Sequence, residues 1–238
     1  MKSPTFAGST DTGRQRDHNE DAYALAPELG IAVLADGMGG HNAGEVASEM
    51  AIGTTISILS QTQGLGARDR LETAIQAAHA GIREKAAISS RYHGMGTTVV
   101  AVLVDGDTLA VGHVGDSRLY RLRKGELAAL TRDHSLLQEF IDKGLYTPEE
   151  AREKVARNIL TQALGLEESV RVDIGEFPLQ AGDRYLLCSD GLYEMVSDSE
   201  IAALLGRRMP LADICTALTE LANAKGGKDN ITVVVIDT

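Results

Sequence analysis

Carboxylates next to small residues recur at places where apolar runs stop or start: Asp36-Gly37, Gly115-Asp116, Asp190-Gly191, and Asp229-Asn230 just after a pair of glycines. Carboxylate and carbonyl oxygens brought together by closely approaching backbone make a cage for hard divalent cations. Two such cations about 4 Å apart are a common device for attacking phosphate esters. In Asp36-Gly37-Met38-Gly39-Gly40-His41 an apolar run delivers the carboxylate and three glycines let the chain bend sharply. Asp36 is thus suited to bridge two metals, with the Gly37 carbonyl as a further hard ligand. The competing reading is a glycine turn that leads into a helix. Asp190 ends the run Tyr185-Leu186-Leu187-Cys188-Ser189, and Asp229 immediately precedes the last apolar run. Singly each is an ordinary turn residue; jointly they point to one site. Gly115-Asp116 reads first as a hairpin turn, and second as a ligand for a more loosely held metal.

Arg16-Asp17-His18-Asn19-Glu20-Asp21 places one arginine among many acids. A guanidinium fork grips two phosphate oxygens at once, so Arg16 is the candidate for phosphate capture. Glu20 and Asp21 are placed to hold metal-bound waters. The alternative is a solvated loop with ion pairs of little energetic weight. The glycine-lysine loop of P-loop nucleotidases is missing, as is a paired cysteine–histidine zinc spacing. His18, His79, His93, His113 and His134 are scattered and read as packed or solvated residues.

The elements that must carry these residues follow from patterning. Ala22 to Ala26 and Ile31 to Ala35 read as paired strands, the second ending at Asp36. Asn42 with Glu45 three residues on signals a helix start, and Val46, Met50, Thr54 and Ile58 mark its expected inner face. A second helix from about Asp69 turns Leu71, Ile75, Ala78 and Ile82 inward. From Thr97 to Thr131 the pattern predicts four antiparallel strands in succession, turning at Asp105-Gly106, Gly115-Asp116 and Lys124-Gly125. Thr147-Pro148-Glu149-Glu150 opens a short helix within a long charged excursion. Strands near Val170 to Phe177 and Arg184 to Cys188, helices capped by Ser197 and opened by Pro210, and a last strand Ile231 to Asp237 complete an α+β pattern. The chain has 238 residues, 43% of them apolar, and no linker-like tract, which implies one domain. Tryptophan is absent and phenylalanine occurs three times, so the core is aliphatic. A formal charge of −11 argues against nucleic acid as a partner. Cys188 and Cys215 lie in apolar surroundings and read as buried free thiols, which fits a reducing cytoplasm. No signal-like segment opens the sequence, and no membrane-length apolar run is present.

Taken in order, the motifs resemble the metal-dependent protein phosphatases of type 2C, the PPM family, and in size its bacterial branch. The matching pieces are Arg16-x-x-Asn19-Glu20-Asp21, Asp36-Gly37-Met38-Gly39-Gly40-His41, Gly94-Met95-Gly96-Thr97-Thr98, Gly115-Asp116-Ser117-Arg118, Thr131-Arg132-Asp133-His134-Ser135, Ser189-Asp190-Gly191-Leu192 and Asp229-Asn230-Ile231-Thr232. The resemblance implies a four-layer α/β/β/α sandwich, two antiparallel sheets flanked by helix pairs, as one domain over residues 1–238 with a flap at about 135–170. It implies that Asp36 bridges two Mn²⁺ or Mg²⁺ ions, that Asp190 and Asp229 complete one, and that the Gly37 carbonyl helps hold the other. Glu20 and Asp21 then act through water, Asp116 joins Asp190 at a third ion, and Arg16 grips phosphate. The implied reaction is hydrolysis of phosphoserine and phosphothreonine by a metal-activated water, without a covalent intermediate.

Two departures stand out. Met38 occupies the place of a histidine proposed as general acid in animal members, and methionine cannot donate a proton; His41 is near enough to contact substrate or to pack at the helix start. The stretch Glu153 to Asn158 lacks the His-Pro pair often found in bacterial flaps. The expected partners are phosphorylated proteins, with a eukaryotic-like Ser/Thr kinase as the opposing enzyme, and the chain is expected to be a monomer. A non-catalytic phosphoprotein-binding module and a hydrolase of small phosphate esters are the competing functions; the first would require a missing metal aspartate, and none is missing.

Overall fold

Runs such as Ile31–Ala35, Val99–Leu103 and Val233–Ile236 are apolar at every position, the mark of strands covered on both faces. A computed structural model describes residues 3–39, 43–156 and 159–238. In chain order the elements are β1 (Thr5–Asp11), β2 (Asp21–Ala26), β3 (Ile31–Met38), α1 (Ala43–Gln61), α2 (Ala67–Ile88), β4 (Gly96–Thr97), β5 (Val99–Asp105), β6 (Thr108–Val114), β7 (Arg118–Arg123) and β8 (Glu126–Ala129). They continue with α3 (Leu136–Asp142), α4 (Pro148–Lys154), β9 (Asp173–Pro178), β10 (Arg184–Cys188), α5 (Asp190–Tyr193), α6 (Asp198–Leu205), α7 (Leu211–Ala224) and β11 (Ile231–Asp237).

The strands form two antiparallel sheets. One has the order β1-β11-β10-β7-β8; the other has β2-β3-β5-β6-β9, with β4 added against the end of β3. Alternation along each strand sorts side chains into three apolar layers. Ala32, Leu34, Val100 and Val102 of one sheet meet Leu119, Tyr185, Leu187, Val234 and Ile236 of the other. Their neighbours Ile31, Val33 and Ala35 point outward to α1 and α2, while Leu186, Cys188, Val233 and Val235 point to α6 and α7. The result is the expected helix–sheet–sheet–helix order. Cys188 and Cys215 are buried and unpaired.

The structure corrects the sequence pattern in three places that matter for the site. The predicted four-strand meander is divided: β5 and β6 pair in one sheet, and β7 and β8 in the other. Gly115-Asp116 is therefore the crossover between sheets and not a hairpin turn. Gly115 has φ +102 and lies against Thr98, so a side chain there would be both strained and blocked. Second, β3 does not end at Asp36 but runs on to Met38, because β4 supplies a pairing partner for Gly37 and Met38. Third, the inner face of α1 is Ala47, Ala51, Ile52, Thr55 and Leu59, with Val46, Met50, Thr54 and Ile58 half-buried beside it. Small residues let this helix approach β3 closely, and that outweighs the larger side chains one position away. Asn42, the expected cap, lies outside the described residues.

The excursion expected at 135–170 holds α3 and α4. Ser135 caps α3 by accepting from the Gln138 N–H, and Thr147 and Glu150 form a reciprocal capping box on α4. An isolated bridge from Ser135 to Leu160 closes the excursion on itself, and one from Thr97 of β4 to Leu164 ties its return to the sandwich.

Candidate metal centre

One end of the sandwich collects the acidic residues. In the β2–β3 register Asp21 stands directly opposite Asp36. Like charges directly opposite in a sheet are destabilising, so this pairing breaks a local rule for which the fold alone offers no return. Asp36 is anchored by backbone: its N–H donates to Thr98 Oγ1 (3.0 Å), and its carbonyl accepts from the Thr98 N–H (2.9 Å) and from Thr97 Oγ1 (2.8 Å). Thr98 Oγ1 also shares a hydrogen bond with Ser117 Oγ (2.7 Å), which fastens the crossover to the same strand.

The other sheet supplies Asp190 and Asp229. β10 and β11 are neighbours, Asp190 begins α5 at the end of β10, and Asp229 stands two residues before β11. Gly191 allows the close approach: a Cβ there would stand 2.0 Å from the Asn230 carbonyl oxygen. Asn230 organises the opposite wall. Its Oδ1 accepts from the Glu20 N–H (2.8 Å), and its Nδ2 donates to the carbonyls of Thr12 and His18 (2.9 Å each). The β1–β2 loop is thereby held so that Arg16 donates to Asp229 Oδ2 (2.6 Å). Ser189 Oγ donates to Asp21 Oδ2 (2.8 Å) and accepts from the Thr232 N–H (3.0 Å), a link between the two sheets.

Electrostatics show what the cluster lacks. Burial, then the charges of Asp21, Asp190, Asp116 and Asp229, hold the Asp36 carboxyl well above the ordinary range. Asp190 is raised likewise, by burial and then by Asp116, Asp229 and Asp21. Burial pushes Asp21 up to about 6, and burial with Asp133 pushes Asp116 up to about 7 against the opposing pull of Arg118. Asp21 Oδ1 and Asp190 Oδ1 are buried without a hydrogen-bond partner among the described residues. Such a constellation is costly unless cations join it. Hard oxygen donors, two of them orphaned, fit Mg²⁺ or Mn²⁺.

The structure thus brings Asp36, Asp190, Asp229, Asp116 and Asp21 together, with Gly37 beside Asp36 and Arg16 at the rim. Asp116 arrives on the crossover, its carbonyl accepting from the Tyr193 hydroxyl of α5 (3.1 Å). Glu20 has a structural occupation as well: its carboxylate, raised by burial, accepts from the Gly44 N–H in the first turn of α1. His41 lies outside the described residues. Residue-by-residue reading overlooked Asn230, Ser189 and Thr98 as organisers; only their membership of the ordered motifs marked them. A cleft of about 820 Å³ runs from Asp116 and Tyr193 past Asp133 and Ser135 to Leu137 and Ile141 of α3.

A two-sheet sandwich with a carboxylate cage at one end and an arginine beside it defines a metal-dependent phosphohydrolase. The family model for protein phosphatase 2C matches residues 11–232. The chain belongs to that family: it is a metal-dependent protein serine/threonine phosphatase of the 2C type. It is 38% identical to the serine/threonine phosphatase stp of Listeria monocytogenes, over 96% of this chain and 93% of that protein. It is 41% identical to PstP of Mycobacterium tuberculosis over 98% of this chain, but spans only 44% of that longer protein. The crystal structure of PstP superposes with a TM-score of 0.92 at 39% identity, covering 98% of each chain. A second structure, the PstP catalytic domain in complex with two manganese ions, gives 0.89 at 39% identity over 98% of this chain and 97% of that one.

Proposed function

We propose that Asp36, Asp190 and Asp229, with the Gly37 carbonyl, hold a pair of Mn²⁺ or Mg²⁺ ions, and that Asp116 with Asp190 offers a third position. When bound, the ions supply an acidified water and neutralise charge on the phosphoryl oxygens. The protein's own contribution is positioning. Thr97 and Thr98 fix the Asp36 backbone, Asn230 fixes the loop that carries Arg16, and Arg16 is placed to exchange one Asp229 oxygen for substrate phosphate oxygens. Asp21, steadied by Ser189, and Glu20, steadied by Gly44, orient water around the cage. No side-chain nucleophile is required: burial pushes both cysteine thiols up and so keeps them protonated. Met38 donates no proton to the leaving alkoxide.

The observation that carries this reading is the packing of buried and half-buried aspartates from both sheets, with two buried carboxylate oxygens that have no partner among the described residues. It favours a catalyst over a binding module. The substrates are phosphoproteins, and we read them as the targets of a cytoplasmic Ser/Thr kinase, acted on by a monomer built as one domain with residues 135–170 as its flap. The test compares a phosphothreonine peptide with an aryl phosphate in Mn²⁺, before and after chelation and with Asp36→Asn. Turnover of both substrates that chelation and the substitution each abolish is expected. Undiminished turnover after either treatment overturns the assignment.

A further inference from the structure

A second concavity of about 470 Å³ shares Arg132 with the cleft that includes Asp116, and its chemistry is the opposite of the aspartate cage. Arg68 from the first turn of α2, Arg132 from the β8–α3 connection and Arg171 from the lead into β9 line it, together with His113 of β6. Asp173 is the one carboxylate on the wall. Three guanidiniums in one hollow are unexpected on a chain of formal charge −11.

A cation is not the occupant. His113, His134 and Asp173 do bring ligand-type atoms within 4.8 Å of one another. However, His134 Nδ1 accepts the Gly115 N–H (3.2 Å), so its proton is on Nε2, which faces Asp173 Oδ2 at 3.3 Å, and the ring has no lone pair left for a metal. His113 Nε2 donates to the Arg132 carbonyl (2.9 Å), so Nδ1 of His113 is the single imidazole nitrogen of the pair that a cation could use. Arg171 Nε lies 3.0 Å from Asp173, where a metal would have to share the carboxylate with a guanidinium.

An anion suits the same walls. The backbone that carries two of the arginines is fixed: Arg132 by His113, Arg171 by its N–H to Gln162 Oε1 (3.2 Å) and by Gln76 to the adjacent Val170 carbonyl (2.8 Å). The side chains retain donors. Arg68 makes one long bond among the described residues, 3.5 Å to the Ile174 carbonyl. Arg171 is 76% exposed beyond its contact with Asp173. Arg132 is 64% exposed and pairs with the half-exposed Asp142 of α3, a partner that an incoming anion can replace. Arg132 also lines the 820 Å³ cleft that begins at Asp116, so the two hollows share a wall.

We propose that this arginine pocket is a second recognition site of the phosphatase, which takes a phosphate or carboxylate on a residue flanking the one to be dephosphorylated. The proposal rests on the phosphatase reading and deepens it: substrates with two neighbouring anionic residues are preferred. The other source of such an anion is a small molecule from solution, and the shared wall with the cleft favours the peptide.

The experiment measures kcat and KM in Mn²⁺ for phosphothreonine peptides that are otherwise neutral, and for the same peptides with a second phosphoserine or a glutamate scanned along both flanks. An aryl phosphate serves as reference. The wild type is expected to show about a tenfold lower KM for at least one doubly anionic register, lost in Arg68→Ala/Arg171→Ala, with the aryl phosphate and the neutral peptides unchanged. The preference should also fade with added salt, as exposed charge pairs do. A preference that survives the double substitution, or that appears at no register, overturns the pocket while leaving the phosphatase intact. Sulfate binding abolished by the double substitution, without any peptide preference, gives the pocket to a free anion and overturns substrate docking. Failure of the wild type to hydrolyse even the aryl phosphate overturns the underlying reading and the pocket's role with it.

Discussion

Asp36 carries both the chemistry and a cost. Its carboxyl is pressed by burial and by four neighbouring aspartates, so replacing it should separate function from stability. Asp36→Asn removes a carboxyl that is ionised in the unfolded chain but forced to take up a proton in the metal-free fold, and should raise the melting temperature of the chelated protein. The same change should abolish the further rise that Mn²⁺ gives the wild type, and lower kcat by about a thousandfold or more, the scale at which electrostatic stabilisation of a transition state is lost. Calorimetry with and without Mn²⁺, set beside initial rates, checks all three. Arg16 is a gentler case. Half exposed and bonded to Asp229, it leaves no buried partner stranded when truncated. Arg16→Ala should reduce kcat/KM by about ten- to a hundredfold while the melting temperature stays within a degree or two, and Arg16→Lys should recover only part of the loss because the planar fork is gone.

Among elements, the glycines at close approaches decide whether the site assembles. The α5 start and the β11 start nearly touch at Gly191, where a Cβ would meet the Asn230 backbone. Gly191→Ala should therefore push Asp190 away from Asp229, weaken Mn²⁺ binding at least tenfold in a calorimetric titration and lower the melting temperature. Gly53→Ala is the control. Gly53 faces open space within α1, so the alanine should stabilise by about 0.5–1 kcal/mol with metal affinity unchanged. These positions also show what the sequence could and could not reveal. Apolar runs bounded by turn residues identified most strands, and the Thr147 and Ser197 capping boxes marked two helix starts, because those signals are local. The division of the meander was not legible: β6 and β7 look like successive hairpin strands, and only the pairing of β7 with β10 sends the chain to the other sheet. The face of α1 was misread by one position for the same reason, since close approach to β3 rewards alanine over valine and methionine. Asp36, Asp190 and Asp229 were legible as ligand types at apolar-run boundaries, whereas their meeting depends on the β10–β11 pairing, 45 to 53 residues apart in sequence, and on contact between the two sheets, such as Ser189 with Asp21, 168 residues apart, which no local pattern encodes.

For the whole molecule, the aspartate cage makes stability a function of pH and metal together. Asp21 is raised to about 6 and Asp116 to about 7 in the folded protein, each from the unfolded value of 3.8, and Asp36 and Asp190 are raised well above that value too. Between the unfolded and folded values the native state binds more protons than the unfolded chain, so stability falls as pH rises. Below about pH 4 the carboxyls are protonated in both states and the penalty vanishes. By pH 7 it is nearly complete for Asp21, about 3 kcal/mol at about 1.4 kcal/mol per unit, and still growing for the rest. Chelated protein should accordingly lose stability steadily between pH 5 and 7.5. Saturating Mn²⁺ should reverse the slope, because the ions bind the ionised carboxylates and release the protons held by the apo cage. Urea unfolding at half-unit pH steps, with chelator and with Mn²⁺, reads both curves. The reversal should disappear in Asp36→Asn, while Arg68→Ala/Arg171→Ala, which alters only the arginine pocket, should keep it. If the chelated and Mn²⁺ curves run parallel across this range, the buried aspartates are not the metal's ligands.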